Sequence, residues 1–198
     1  MVQNTQERPK DDLRSLKELM KDIPDALTSY NILIELTDQP QNQAAIDRNI
    51  AIVGTAFLEI GLKQAITKHL RRDLSGDDYE NMILSIFDDY DRSPLATFYL
   101  RIEMAFALGI IDNRTRDDFE KIRKLRNAFA HVPSTIRLDT PSLADSINSL
   151  SPPPHGPTQR AWGNMGPRLR FASSMFVYFW SLSNYSLDLE ASQQNSSP

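Results

Sequence analysis

The sequence predicts an all-α protein: an up-and-down helical bundle with a long C-terminal helix after a proline-rich connector. Three observations predict it. Apolar residues recur at three- and four-residue spacing in one segment after another. One long segment is apolar around most of its circumference, which marks a central helix. The connections are short and compatible with antiparallel neighbours. At 198 residues the chain reads as one domain, long enough to bury a core.

The elements follow in order. Residues 1–10 are polar and read as a flexible N-terminus, and residues 11–190 as a single helical domain. Within it, 11–21 has helical spacing (Leu13, Leu16, Leu19, Met20). Pro24 opens a second helix through Leu27, Ile32, Leu33 and Leu36, closed by Asp38-Gln39-Pro40. The central helix is expected over 43–72, with Ile46, Ile50, Val53, Phe57, Ile60, Leu62, Ile66 and Leu70, and with Arg71, Arg72 and Gly76 at its end. A shorter amphipathic helix follows over 77–88 (Met82, Ile83, Ile86, Phe87). Ser93-Pro94 opens the helix 94–108, and Gly109 is placed to leave it in the left-handed conformation. Helix 113–131 starts with Thr115 and Asp118 as a capping pair. Its acids lead and Lys121, Arg123, Lys124 and Arg126 trail, which complements the helix dipole. Thr140-Pro141 starts a short helix to Leu150. The Pro/Gly-rich stretch 151–166 reads as an irregular connector, and the last helix begins near Pro167. Residues 191–198 read as a disordered tail.

Composition narrows the function. Cysteine is absent, which excludes disulfides and thiolate metal sites and favours a reducing compartment. The apolar stretch from Ile50 to Leu62 is about 13 residues, short of the roughly 20 that cross a bilayer, so no membrane span is expected. The N-terminus lacks a signal-peptide pattern, and the reading is a cytoplasmic protein. A net charge of −4 and a pI near 5.4 argue against direct duplex DNA binding, whose affinity comes largely from neutralising phosphates. No phosphate-cradling glycine loop, HExxH or nucleophile elbow is present. His69, His131 and His155 are scattered, so no metal and no cofactor is expected.

The chemistry concentrates in Arg126-Asn127-Ala128-Phe129-Ala130-His131. Arginine holds a phosphate through its planar fork, and histidine exchanges a proton near neutral pH. Phe119, Ile122, Leu125 (or Arg126) and Phe129 form the buried stripe of this helix, while Asn127 and His131 share a face with Arg123 one turn earlier. Arg126 lies about 140° from His131 on an ideal helix, so both meet one ligand only if the last turn loosens or a second subunit contributes. The alternative is structural: basic residues serving the dipole, with His131 a surface cap. Glu59 and Arg101 stand in apolar surroundings and are expected to pair between neighbouring helices, or Arg101 to face a dimer seam or the groove near His131. The stripe Phe171, Tyr178, Tyr185 with Phe179 and Trp180 reads as packing. Arg160, Arg168 and Arg170 give too little charge for a nucleic-acid stripe.

Three segments together carry a resemblance: Asp47-Arg48-Asn49-Ile50-Ala51-Ile52-Val53-Gly54-Thr55-Ala56-Phe57-Leu58-Glu59, then Ser93-Pro94-Leu95-Ala96-Thr97-Phe98-Tyr99-Leu100-Arg101-Ile102-Glu103-Met104-Ala105-Phe106-Ala107-Leu108-Gly109-Ile110-Ile111, then Ile122-Arg123-Lys124-Leu125-Arg126-Asn127-Ala128-Phe129-Ala130-His131. In this order and spacing they resemble the mannitol operon repressor (MltR-like) family, whose fold is an all-helical bundle. The arginine and histidine with four residues between them also resemble the Arg-x4-6-His motif of the HEPN superfamily. The first resemblance implies a negative regulator of transcription, acting as a homodimer and through a protein partner. The second implies a metal-independent endoribonuclease with RNA as substrate, in which Arg126 holds the scissile phosphate, His131 does acid–base work on the 2′-hydroxyl and Asn127 positions them. Glu59, Arg101 and Arg123 would support that site. A non-enzymatic helical interaction scaffold is the third reading.

Overall fold

The computed structural model describes residues 43–70, 73–88, 92–132, 136–154 and 156–194, with side chains to Tyr185. The N-terminal expectations, a flexible 1–10 and helices over 11–21 and from Pro24, lie outside the described residues. Every regular element among the described residues is a helix: α1 (Gln43–Thr67), α2 (Gly76–Phe87), α3 (Phe98–Ala107), α4 (Asn113–His131), α5 (Pro141–Asn148), α6 (Gln159–Asn164) and α7 (Pro167–Gln194). The all-α class is as the apolar spacing predicts.

α1 is central. It packs most extensively on α7 and also meets α4 and α3, which touch each other. Ile50, Leu58, Leu62 and Ile66 are fully buried on it, as are Phe119, Ile122 and Phe129 on α4. Burying each such side chain contributes about 1.5–3 kcal/mol. Gly54 and Gly61 let α7 approach: a Cβ on Gly54 would stand 2.8 Å from Met175 Cγ, and one on Gly61 3.2 Å from Leu182 Cδ1. At 25 residues α1 is long and apolar enough to span a membrane, contrary to the shorter stretch read from sequence; half of its most apolar window is buried inside the protein.

Several helix ends differ from expectation, each for a local reason. α1 stops at Thr67, not at residue 72, because the chain tightens there: the His69 and Leu70 amides donate three residues back, to Ile66 O and Thr67 O. Of the expected stop residues, Arg71 and Arg72 lie outside the described residues, and Gly76 starts α2 at φ +58°. α3 begins at Phe98, not Pro94. Residues 93–96 are instead stitched to the end of α2, with Leu95 N–H donating to Ile86 O and Ser93 Oγ to Ser85 O. Thr97 is the N-cap, accepting the Leu100 amide. The end of α3 is as predicted. Gly109 takes φ +71° and donates to Phe106 O, while Ile110 donates to Ala105 O, the two bonds of a Schellman close.

α4 has the predicted bounds but a different cap. Asp112 accepts the Thr115 amide at 2.8 Å, and Asp118 is not a capping residue. Asp118 is fully buried and accepts from Tyr178 Oη, the Ser151 amide and Lys121 Nζ, tying α4 to α7 and to the connector. The connector is not wholly irregular, since it contains α6. Trp162 on α6 is buried and donates to Leu150 O. Arg170 lies over its ring and donates to the carbonyls of Asn148, Trp162 and Met165. α7 continues as helix to Gln194, past the expected tail boundary at Ala191.

Candidate functional site

The stripe that α4 buries (Phe119, Ile122, Leu125, Phe129) turns Arg123, Arg126 and Asn127 toward the start of α3. There they line a groove of about 320 Å³ with Glu59 from α1 and with residues 96–99. The two arginines differ. Arg123 is occupied: its guanidinium donates to Glu120 and lies 5.5 Å from the Tyr99 ring centroid. Arg126 makes no close ion pair among the described residues, and its Nη1 donates to Asn127 Oδ1 at 3.3 Å. Adjacent residues thus present one cation and one amide together.

The predicted Glu59–Arg101 pair forms, at 3.7 Å. Arg101 is buried and also donates to Leu95 O and Phe87 O, so it fixes the α2–α3 connection. Burial pushes the Glu59 carboxyl above its ordinary value of 4.5, against the pull of the Arg101 and then the Arg126 charges. A carboxyl that ionises reluctantly therefore shares the groove with an available guanidinium.

His131 does not join them. It is exposed at the end of α4, does not line the groove, and makes no side-chain hydrogen bond among the described residues. The last turn does not loosen, because the Val132 amide still donates to Ala128 O. The 140° offset on an ideal helix therefore persists. One chain holds Arg126 with Asn127, Arg123 and Glu59, and leaves His131 apart.

Sequence reasoning missed four residues, two in the groove and two that hold the elements around it. Thr97 and Tyr99 reach the groove only because α3 starts later than expected. Arg48 donates from α1 to Val132 O at 2.6 Å, satisfying a carbonyl just past the end of α4. Asp47 beside it is fully buried, accepting two bonds from Arg168 (2.6 and 3.1 Å) and the Leu138 amide. Nothing local distinguishes these two from a solvated first turn. The basic residues before the aromatic stripe are in structural use: Arg168 on Asp47, Arg170 on backbone carbonyls, and only Arg160 exposed. Among the described residues no cluster of His, Asp and Glu could hold a metal ion.

Compared with family models, with curated proteins and with solved structures, the chain finds no match in any of the three.

Proposed function

We propose that the protein is a regulatory protein like the mannitol operon repressors it resembles, a dimeric negative regulator of transcription that works by binding a protein partner. One observation carries this reading: Glu59 and Arg126 open on one groove while His131 stands outside it. A nucleic-acid backbone offers only negative charge, which Arg126 attracts and an ionised Glu59 repels. A peptide segment offers both signs and backbone amides, and it matches a groove holding a carboxyl, a guanidinium and an amide. The net charge of −4 acts in the same direction.

A second reading, a metal-independent endoribonuclease, rests on the availability of both motif ends. Arg126 makes no close ion pair among the described residues and His131 is exposed, so two copies could pair the arginine of one with the histidine of the other. The readings separate in purified protein without metal. The regulator is expected to leave RNA uncut, to bind a promoter fragment no tighter than random DNA at physiological salt, and to lose repression in cells as Arg126→Ala. RNA cleavage by wild type that His131→Ala abolishes would overturn it. In that case, mixing inactive Arg126→Ala and His131→Ala chains should restore about a quarter of wild-type activity if the site is built across the dimer.

A further inference from the structure

A second and larger cavity lies away from the groove, between the start of α4 and the C-terminal half of α7. It measures about 620 Å³, within the range of about 300–1,000 Å³ typical of small-molecule sites. Four aromatic residues line it: the buried Phe119 and Tyr178, and the more open Trp180 and Tyr185. Phe119 and Tyr178 meet edge to face at 5.0 Å, Tyr178 is anchored by its bond to Asp118, and Tyr185 stacks on His69 with its hydroxyl 2.9 Å from His69 Nε2. Trp180 is 40% exposed, an uncommon position for the largest apolar side chain. No lysine, arginine or histidine lines the cavity among the described residues, and one carboxylate, Asp112, does. Ser181 lines it too, though its Oγ is itself shielded from solvent and makes no hydrogen bond.

We propose that this cavity binds a small organic cation, an amine carried on an aromatic or cyclic apolar body. Each feature selects for one part of such a molecule. Aromatic faces attract a cation through their quadrupole and pack against an apolar ring. Asp112 supplies the counter-charge. Its side chain accepts from Thr115 as the α4 cap, and a carboxylate has acceptor capacity beyond that bond. Those bonds, from the Thr115 hydroxyl and then its amide, hold the carboxyl below its ordinary range, so the charge is present at neutral pH. An anionic ligand would meet Asp112 with no cation lining the cavity among the described residues, since the neighbouring Arg114 donates instead to Pro152 O. The inference does not depend on the groove at Arg126.

Isothermal titration of the full chain with phenethylamine, and with phenylacetate as its anionic counterpart, tests the proposal. Asp112→Asn is the informative variant, because asparagine caps a helix as well as aspartate and leaves α4 folded, which circular dichroism checks. Saturable sub-millimolar binding of phenethylamine is expected, with phenylacetate and the Asp112→Asn variant each about tenfold weaker or more. Absence of saturable phenethylamine binding, equal binding of phenylacetate, or undiminished binding by Asp112→Asn would each overturn it.

Discussion

At the scale of single residues, the charges inside the fold divide by how visible their partners are. Glu59 and Arg101 each interrupt an apolar run, and an unpaired charge there is costly, so their pairing could be read from the sequence. Asp47 could not. Its neighbours Arg48 and Asn49 are polar, and the arginine that satisfies it stands 121 residues later. That Arg126 and Asn127 stand together was legible because adjacent side chains at the end of a helix stay near each other. The separation of His131 was legible as well, from helical phase alone. Glu59 gives a testable sign. Its carboxyl is raised, so the folded state holds the proton over a pH range in which the unfolded chain has released it. Stability from this group is therefore greatest below 4.5 and declines as pH rises through the folded value. Wild type minus Glu59→Gln, measured by denaturant unfolding at several pH values, should show this decline while the other carboxyls cancel. A flat difference would refute the assignment.

At the scale of elements, the sequence locates helices better than their ends. The α3 close was legible because a glycine in the left-handed region is a local requirement. The start of α3 was not, because Ser93-Pro94 is a sound helix opening locally and is overruled by bonds to α2. Thr115 and Asp118 have the spacing of a cap, yet the phase of α4 points Asp118 inward to Tyr178. The α1–α7 contact depends on what is missing at Gly54. Gly54→Val would force two methyl groups against Met175 and is expected to cost about 1–3 kcal/mol, even though valine favours a helix more than glycine does. Thermal or chemical unfolding measures it. A variant as stable as wild type would mean that α7 moves freely over α1.

At the scale of the whole molecule, the fold is joined at points far apart in sequence. Asp47 and Arg48 are consecutive, yet one reaches Arg168 and the Leu138 amide and the other reaches Val132 O. Two adjacent residues on the first described helix thus hold the start of α7, the segment after α4, and the end of the helix that bears Arg126 and His131. Such long-range bonds close large loops, and loop closure is slow relative to local helix formation. The Asp47–Arg168 bonds should therefore form after the folding transition state. Asp47→Asn, expected to cost about 3 kcal/mol because it breaks a buried charged pair, should raise the unfolding rate by about a hundredfold and leave the refolding rate near wild type. Stopped-flow chevrons distinguish this from an early-forming contact, which would slow refolding instead. The expected consequence is kinetic: with refolding unchanged and unfolding faster in Asp47→Asn, Asp47 is a latch that sets how long the folded chain lasts rather than how fast it forms.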